Sequence, residues 1–385
     1  MTGTAIPHSG TGGAHAHRVI FIDLGRFLAL VFMLYGHTVS ALLAPSYLRG
    51  TWFDIWNFQR GLTSSLFLLL SGFAFSVATS RRWGVHQQLS PAFFKRVRRF
   101  GLFLLLGYVI HFPVTRFSHL ASLTDEQWRS LFQVDVLQLI GATFLIVQLL
   151  VFLVPSRRVF TVVVFVLGAA GLAVTHTVWA IDWWRYLPGW LAAYVSPERG
   201  SLFPLFPWAT YVLFGAGLGQ IYVGWGAANL GRFAAIGLLA PGLVLSGIGW
   251  GLAAVEDAPW GADAWNFMPI QLAIRIGACL IILAAIAAAS QRITRLPRFF
   301  AAVAQETLLI YFVHLCIVYG SIWNNGLAVY YAASLGPMAT LLCVLLVLTS
   351  MAALGWSWHW LKHASPRLSH WITAGVAALL IIQLL

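Results

Sequence analysis

Charge is what this sequence lacks most. Only 9% of its 385 residues are Asp, Glu, Lys or Arg, and the acids are the scarcer group, 11 against 23 bases. Soluble domains carry about 25% charged residues, so an ordinary water-soluble fold is excluded. Cysteine is almost as rare. Cys279, Cys316 and Cys343 all fall within apolar runs, which leaves neither a disulfide framework nor metal-ligand spacing. No polar stretch is long enough for a soluble domain, and no internal repeat of the kind expected of inverted-repeat transporters stands out. What is abundant is apolar: 60% of residues are hydrophobic and 15% aromatic. The fold class is all-α, a polytopic integral membrane protein.

A span needs about 20 apolar residues. About eleven are expected, near 19–43, 62–80, 93–113, 134–154, 159–181, 203–224, 232–254, 267–289, 299–323, 336–356 and 369–385. Residues 1–17, rich in Gly, His, Thr and Ser, have neither a hydrophobic region nor a positive n-region. They read as a disordered cytoplasmic tail ahead of a single transmembrane domain over 18–385. The formal charge of +12 does not mark a nucleic-acid binder, because the basic residues sit in short loops between apolar runs. Arg81, Arg82, Lys95, Arg96, Arg98, Arg99, Arg157, Arg158, Arg292, Arg295, Arg298, Lys362 and Arg367 all fall on the side of the N-terminus. By the positive-inside rule this basic face is cytoplasmic. The opposite side takes the longer loops, 44–61, 114–133, 182–202 and 255–266, with most of the acids and an aromatic belt that includes Trp52, Trp128 and Trp190.

Against this apolar background the first span is unusual. Asp23 and Arg26 are three residues apart, and His37 follows Arg26 by eleven. At 100° per residue that is three turns plus about 20°, so all three lie on one stripe of one helix, Arg26 and His37 about 16 Å apart along it. Ionisable groups inside a span are costly and point first to function, with helix-gluing polar contacts as the plainer reading. Counting rise per residue sorts the intramembrane polar groups into two bands. The inner one holds Asp23, Arg26, Glu306 and the basic start of the third span. The outer one holds His37, His111, Asp135, Gln138, Arg275 and His314. Arg96 and Arg99 share a helix face and suit one phosphorylated anion, although the same residues serve as a positive-inside stop. Asp135 with Gln138 at a helix start also suits simple capping.

Several stretches resemble a known family. Asp23-Leu24-Gly25-Arg26 followed by His37 is similar to the opening of transmembrane acyltransferases of the acyltransferase-3 type, and Arg96-Val97-Arg98-Arg99 to their Arg-x-x-Arg element. Phe67–Phe73 resembles their second-span Phe-Leu-x-x-Ser-Gly motif. Asp135–Gln138, Phe203–Trp208 leading to Gly215–Gly219, and Leu308–His314 resemble the heparan-α-glucosaminide N-acetyltransferase-like branch. The resemblance implies an acyltransferase-like domain over 18–385. It would carry an acetyl group from cytoplasmic acetyl-CoA to a sugar or envelope-glycan acceptor across a bacterial inner membrane. The lysosomal relatives carry Asn where His37 stands, so N- and O-acylation both stay open, and Gln305-Glu306-Thr307 replaces a more usual Gly-x-x-Ser turn, so Glu306 has no carried-over role.

Carried over, His37 is the catalytic histidine, with Arg26 its first-span partner and Asp135 orienting the imidazole or holding acceptor. Arg96, Arg99 and Arg26 face the coenzyme, and Arg275, His314 and Gln138 hold substrate or stabilise charge. No metal and no nucleic acid are expected. Membrane lipid is a partner, and a homodimer is compatible with the pattern. The competing reading is a multi-pass transporter or lipid flippase that uses the same polar stripe as a path.

Overall fold

The computed structural model describes residues 19–255, 269–293 and 295–385, so the expected tail at 1–17 and the core of the loop at 255–266 lie outside the described residues. Helix α1 (Ile20–Leu42) leads through a short 3-10 turn to α2 (Thr51–Ser80), α3 (Trp83–His86) and α4 (Pro91–Ile110). Then come α5 (Asp125–Phe132), α6 (Val136–Leu153), α7 (Arg157–Trp179), α8 (Gly189–Val195) and α9 (Leu205–Ile221). Helix α10 (Leu230–Arg232) runs through a π-helical stretch, Phe233–Leu239, into α11 (Ala240–Val255). The rest is α12 (Pro269–Ser290), α13 (Arg298–Val303), α14 (Thr307–Val318), α15 (Leu327–Tyr331), α16 (Pro337–Ala364) and α17 (Pro366–Ile382). A two-residue hairpin, β1 (Gly320–Ser321) with β2 (Asn324–Asn325), follows α14.

Each of the eleven expected segments falls largely on helix, although 267–268 lie outside the described residues and the segment near 299–323 is broken. Among the described residues seven stretches are long and apolar enough to cross a membrane: α1, α2, α6, α7, α10–α11, α12 and α16. The protein is an all-α, multi-pass membrane protein. Three segments differ instructively from expectation. Helix α4 is 20 residues long but carries four cations in its first half. The segment expected at 299–323 is interrupted at Ala304–Glu306, leaving α14 only 12 residues. And α2 starts at Thr51 rather than at 62, because Phe53, Trp56 and Arg60 continue its helical face through a stretch too polar for a hydropathy window.

Packing in lipid gains little from hydrophobicity, since acyl chains are as apolar as leucine, and depends on close backbone approach. Helices α2 and α9 show this. A Cβ added to Gly72 would run into the Val212 carbonyl, and one added to Gly215 would run into the Leu69 carbonyl. Near the basic face, Phe21, Phe73, Tyr222 and Phe233 interlock edge-on or tilted, with centroids 5.2–6.3 Å apart. The outward side chains of α16, such as Met338, Leu342 and Leu346, are exposed and apolar, as a lipid-facing surface must be.

Two backbone ties position the site. Leu335 exchanges hydrogen bonds with Leu42 and Ala44, locking the end of α1 beside the start of α16. Leu202 and Phe203 donate to the Val134 carbonyl, and the Val134 amide donates to Ser201 Oγ, which fixes the residue before Asp135.

Overpacking a tight core costs about 1–3 kcal/mol or more. Gly72→Ala and Gly215→Ala should therefore each lower the thermal midpoint in detergent. Gly101→Ala, where an added Cβ meets nothing within 4 Å, should leave it unchanged or raise it.

Candidate active site

Two histidines 277 residues apart meet across the bundle. His37, from the fifth turn of α1, places Nδ1 2.9 Å from Nε2 of His314, two turns into α14. Their rings stack at 19° with centroids 5.2 Å apart, and His314 is fully buried. Nδ1 of His314 lies 2.9 Å from the Ile310 carbonyl. A carbonyl can only accept, so that nitrogen carries the hydrogen. With both rings neutral, His314 Nε2 is then the acceptor and His37 Nδ1 the donor. The lone pair of the dyad is left on His37 Nε2.

Tyr319 closes one side of the pair. Its hydroxyl donates to the His37 carbonyl at 3.4 Å and its ring meets His37 edge-on at 5.8 Å. Arg60 stands within electrostatic reach of both His37 and Tyr319. It is steadied by Ser40 Oγ at 3.2 Å, Asn57 Oδ1 at 2.8 Å and the Trp56 ring 5.1 Å below its guanidinium. Arg60 falls within the loop expected at 44–61, yet it belongs to the site because α2 begins more than two turns earlier than its apolar run. The helical spacing of Phe53, Trp56 and Arg60 is the signal that reveals it.

Asp135 is the N-cap of α6. Its Oδ1 accepts from the Val136 amide at 2.6 Å, and Gln138 Oε1 completes the capping box by accepting from the Asp135 amide at 3.2 Å. Oδ2 accepts from the Tyr311 hydroxyl at 3.2 Å and lies 3.4 Å from His111 Nε2 at the end of α4. Tyr311 sets its ring edge against His314, with centroids 5.6 Å apart. Asp135 thus connects to the imidazole pair through Tyr311, while His314 is the group that orients His37. Gln138 is taken up by the cap and by a bond to the Gln133 carbonyl, and it fills the space left by Gly107. Arg275 is buried on α12 with its guanidinium against Gly61, the residue next to Arg60, and close to Tyr211 and Cys279.

The inner band lies apart from this centre. Asp23 is buried and Arg26 half-buried, and Arg26 remains about 16 Å down α1 from His37. Glu306, at the break before α14, is buried and ion-paired. Lys362 Nζ sits 2.6 and 2.7 Å from its two oxygens, with His359 Nδ1 at 3.3 Å. Arg96 and Arg99 part company. Arg96 turns inward to Thr79 Oγ1 at 2.8 Å and Gln148 Oε1 at 3.3 Å, whereas Arg99 is exposed, its guanidinium 5.9 Å from the Phe103 ring centre. Beside them, in the connection from α2 to α4, burial and the guanidiniums of Arg96 and Arg82 push His86 down to about 4, so its ring is neutral near pH 7.

The helical membrane bundle thus holds a buried imidazole pair in which one ring nitrogen, His37 Nε2, is left as a proton acceptor. The family model for the catalytic region of heparan-alpha-glucosaminide N-acetyltransferase matches residues 18–249, more than half of the chain, and the chain belongs to that family. It is accordingly a membrane acetyltransferase. His37, Arg26, Arg96, Arg99, Asp135 and Gln138 fall inside the matched region, and Arg275, Glu306 and His314 beyond it. No curated protein matches the chain.

Removing one partner of a fully buried ion pair costs about 3–5 kcal/mol, but the Lys362 side chain is 39% exposed, so solvent screening lowers the cost of losing it here. Lys362→Met should lower the melting point in detergent, because it leaves the buried Glu306 carboxylate without its closest cation. Glu306→Gln combined with Lys362→Met should recover much of the loss, and a double variant no better than Lys362→Met alone would show that the pair is not the cause.

Proposed function

We propose that the protein transfers an acetyl group from acetyl-CoA, arriving at the basic, cytoplasmic face, to a sugar or envelope-glycan acceptor at the opposite face of a bacterial inner membrane. The observation that carries this reading is the hydrogen-bond order Ile310 carbonyl, His314, His37, which leaves the lone pair on His37 Nε2. That nitrogen takes the proton of the acceptor's hydroxyl or amine as the acceptor adds to the thioester carbonyl. When the tetrahedral species collapses, the carbon–sulfur bond breaks, the coenzyme A sulfur leaves toward the basic face, and the proton held on His37 passes to it, which restores the neutral imidazole.

The protonated His37 is met by the negative charge of Asp135, which lies within electrostatic reach. The carboxylate also holds Tyr311 and His111 in place around the pair. Arg60 supplies positive charge for the developing oxyanion, with Arg275 behind it on the far side of Gly61. Gln138 acts by fixing Asp135 rather than by touching substrate. On the basic face, Arg26 and the exposed Arg99 add positive charge that draws in a phosphorylated donor, and Arg96 shapes that surface through Thr79 and Gln148. Membrane lipid surrounds the bundle, and no step calls for a metal.

General-base catalysis is worth about 10²–10⁴-fold. His37→Ala should fold normally and lose at least that much turnover when purified protein is given labelled acetyl-CoA and candidate sugar acceptors. Near-normal turnover would overturn the assignment, and substrate flux without consumption of acetyl-CoA would turn the reading toward a transporter. Label trapped on the protein would mean that His37 takes the acetyl group itself. His314→Phe should retain more activity than His37→Ala but shift the pH profile of turnover, since the tautomer of His37 is then no longer set.

A further inference from the structure

A cavity of roughly 720 Å³ lies at the basic end of α1, α13 and α16, outside the imidazole centre. Two guanidiniums line it, Arg295 from the segment that leads into α13 and Arg298 from the first residue of that helix. The opposite wall is one stripe of α16, in which Trp356 and Trp360, and likewise His359 and His363, are spaced i and i+4 and so share a face. Asp23 is the carboxylate in the lining. Glu306 stands just behind His359, but its charge is matched by Lys362, so the cavity keeps two guanidiniums against one carboxylate.

A loop that merely anchors the protein by positive charge does not require a walled cavity, nor two indoles on the face turned to the cations. Guanidinium forks fit phosphate oxygens, and indole faces stack on planar rings. The geometry points to a phosphorylated, ring-bearing ligand, and we propose that this cavity holds the purine-nucleotide end of the acyl donor. The proposal rests on the acetyl-transfer reading for the identity of that donor.

Placement supports it. Asp23 in the cavity wall and His37 lie fourteen residues apart on α1, about 21 Å along one helix. Ala301 and Ala302 of the wall precede His314 on the broken α13–α14 pair. The same two elements therefore carry a cationic, aromatic chamber at one end and the imidazole pair at the other. That suits a ligand with an anionic nucleotide head and a long neutral arm ending in the reactive group.

The test is equilibrium dialysis of radiolabelled adenosine 3′,5′-bisphosphate, and separately of coenzyme A, against the purified full-length protein in detergent. Both should bind. Arg295→Ala with Arg298→Ala should weaken both at least tenfold and Trp360→Leu several-fold, while Arg298→Lys should give an intermediate loss. Arg158→Ala, an exposed charge removed from the same face, should stay within twofold. Unchanged binding in the double variant overturns the cavity assignment, as does loss seen only in Arg99→Ala. Displacement of the probe by phosphatidylglycerol vesicles as readily as by unlabelled probe would make the occupant a lipid headgroup and also overturn it. Nucleotide binding that depends on Arg295 and Arg298, without any acetyl transfer from acetyl-CoA, would leave the cavity standing and remove the transfer reading alone. Normal transfer with binding indifferent to both arginines would do the reverse.

Discussion

One carboxylate holds the centre of this protein together. Within a membrane no water is at hand to satisfy a stray donor or acceptor, so each must be met by the chain itself. Asp135 meets several at once. One oxygen closes the open end of α6, and the other gathers Tyr311 from α14 and His111 from the end of α4. The residue before it is pinned to the segment that leads into α9. Four parts of the chain thereby take fixed positions around an anion that would be costly to bury alone. The imidazole pair owes its orientation to the same knot, because the tyrosine that binds Asp135 also braces His314.

The stripe on α1 was legible because helical geometry is local. Three polar groups on one apolar helix declare their face and depth without reference to any other part of the chain. The capping role of Asp135 and Gln138 was legible for the same reason. What could not be read was contact between distant segments. Nothing in the sequence around His37 announces His314, since no spacing rule spans 277 residues. Arg96 and Arg99 make the same point from the other direction. Their shared face was foreseeable, but not that Thr79 and Gln148 would cover one guanidinium and leave the other in the open.

The stretches that carry the family resemblance divide into two physical kinds. Ser71-Gly72 and Gly215–Gly219 lie where α2 and α9 approach so closely that a single carbon would not fit. Phe203 serves to hold the turn before Asp135. Only a few of the resembling positions, His37, Asp135 and His314 foremost, meet around the imidazole pair. Motifs spread along a membrane chain thus record the geometry of packing at least as much as the chemistry that the packing serves.

The break at Ala304–Glu306 has a consequence for the barrier itself. With 12 residues, α14 rises only about 18 Å, against a hydrocarbon layer of about 30 Å. Beside it, polar chain and the arginine- and histidine-lined chamber reach inward from one face, while the hairpin after Tyr319 caps the other. The helical stretch of α14 is therefore shorter than the hydrocarbon it stands in, and the stacked imidazoles lie within that shortened stretch. Under the proposed function, the pair that exchanges a proton with substrate is also what occupies the middle of that shortened stretch.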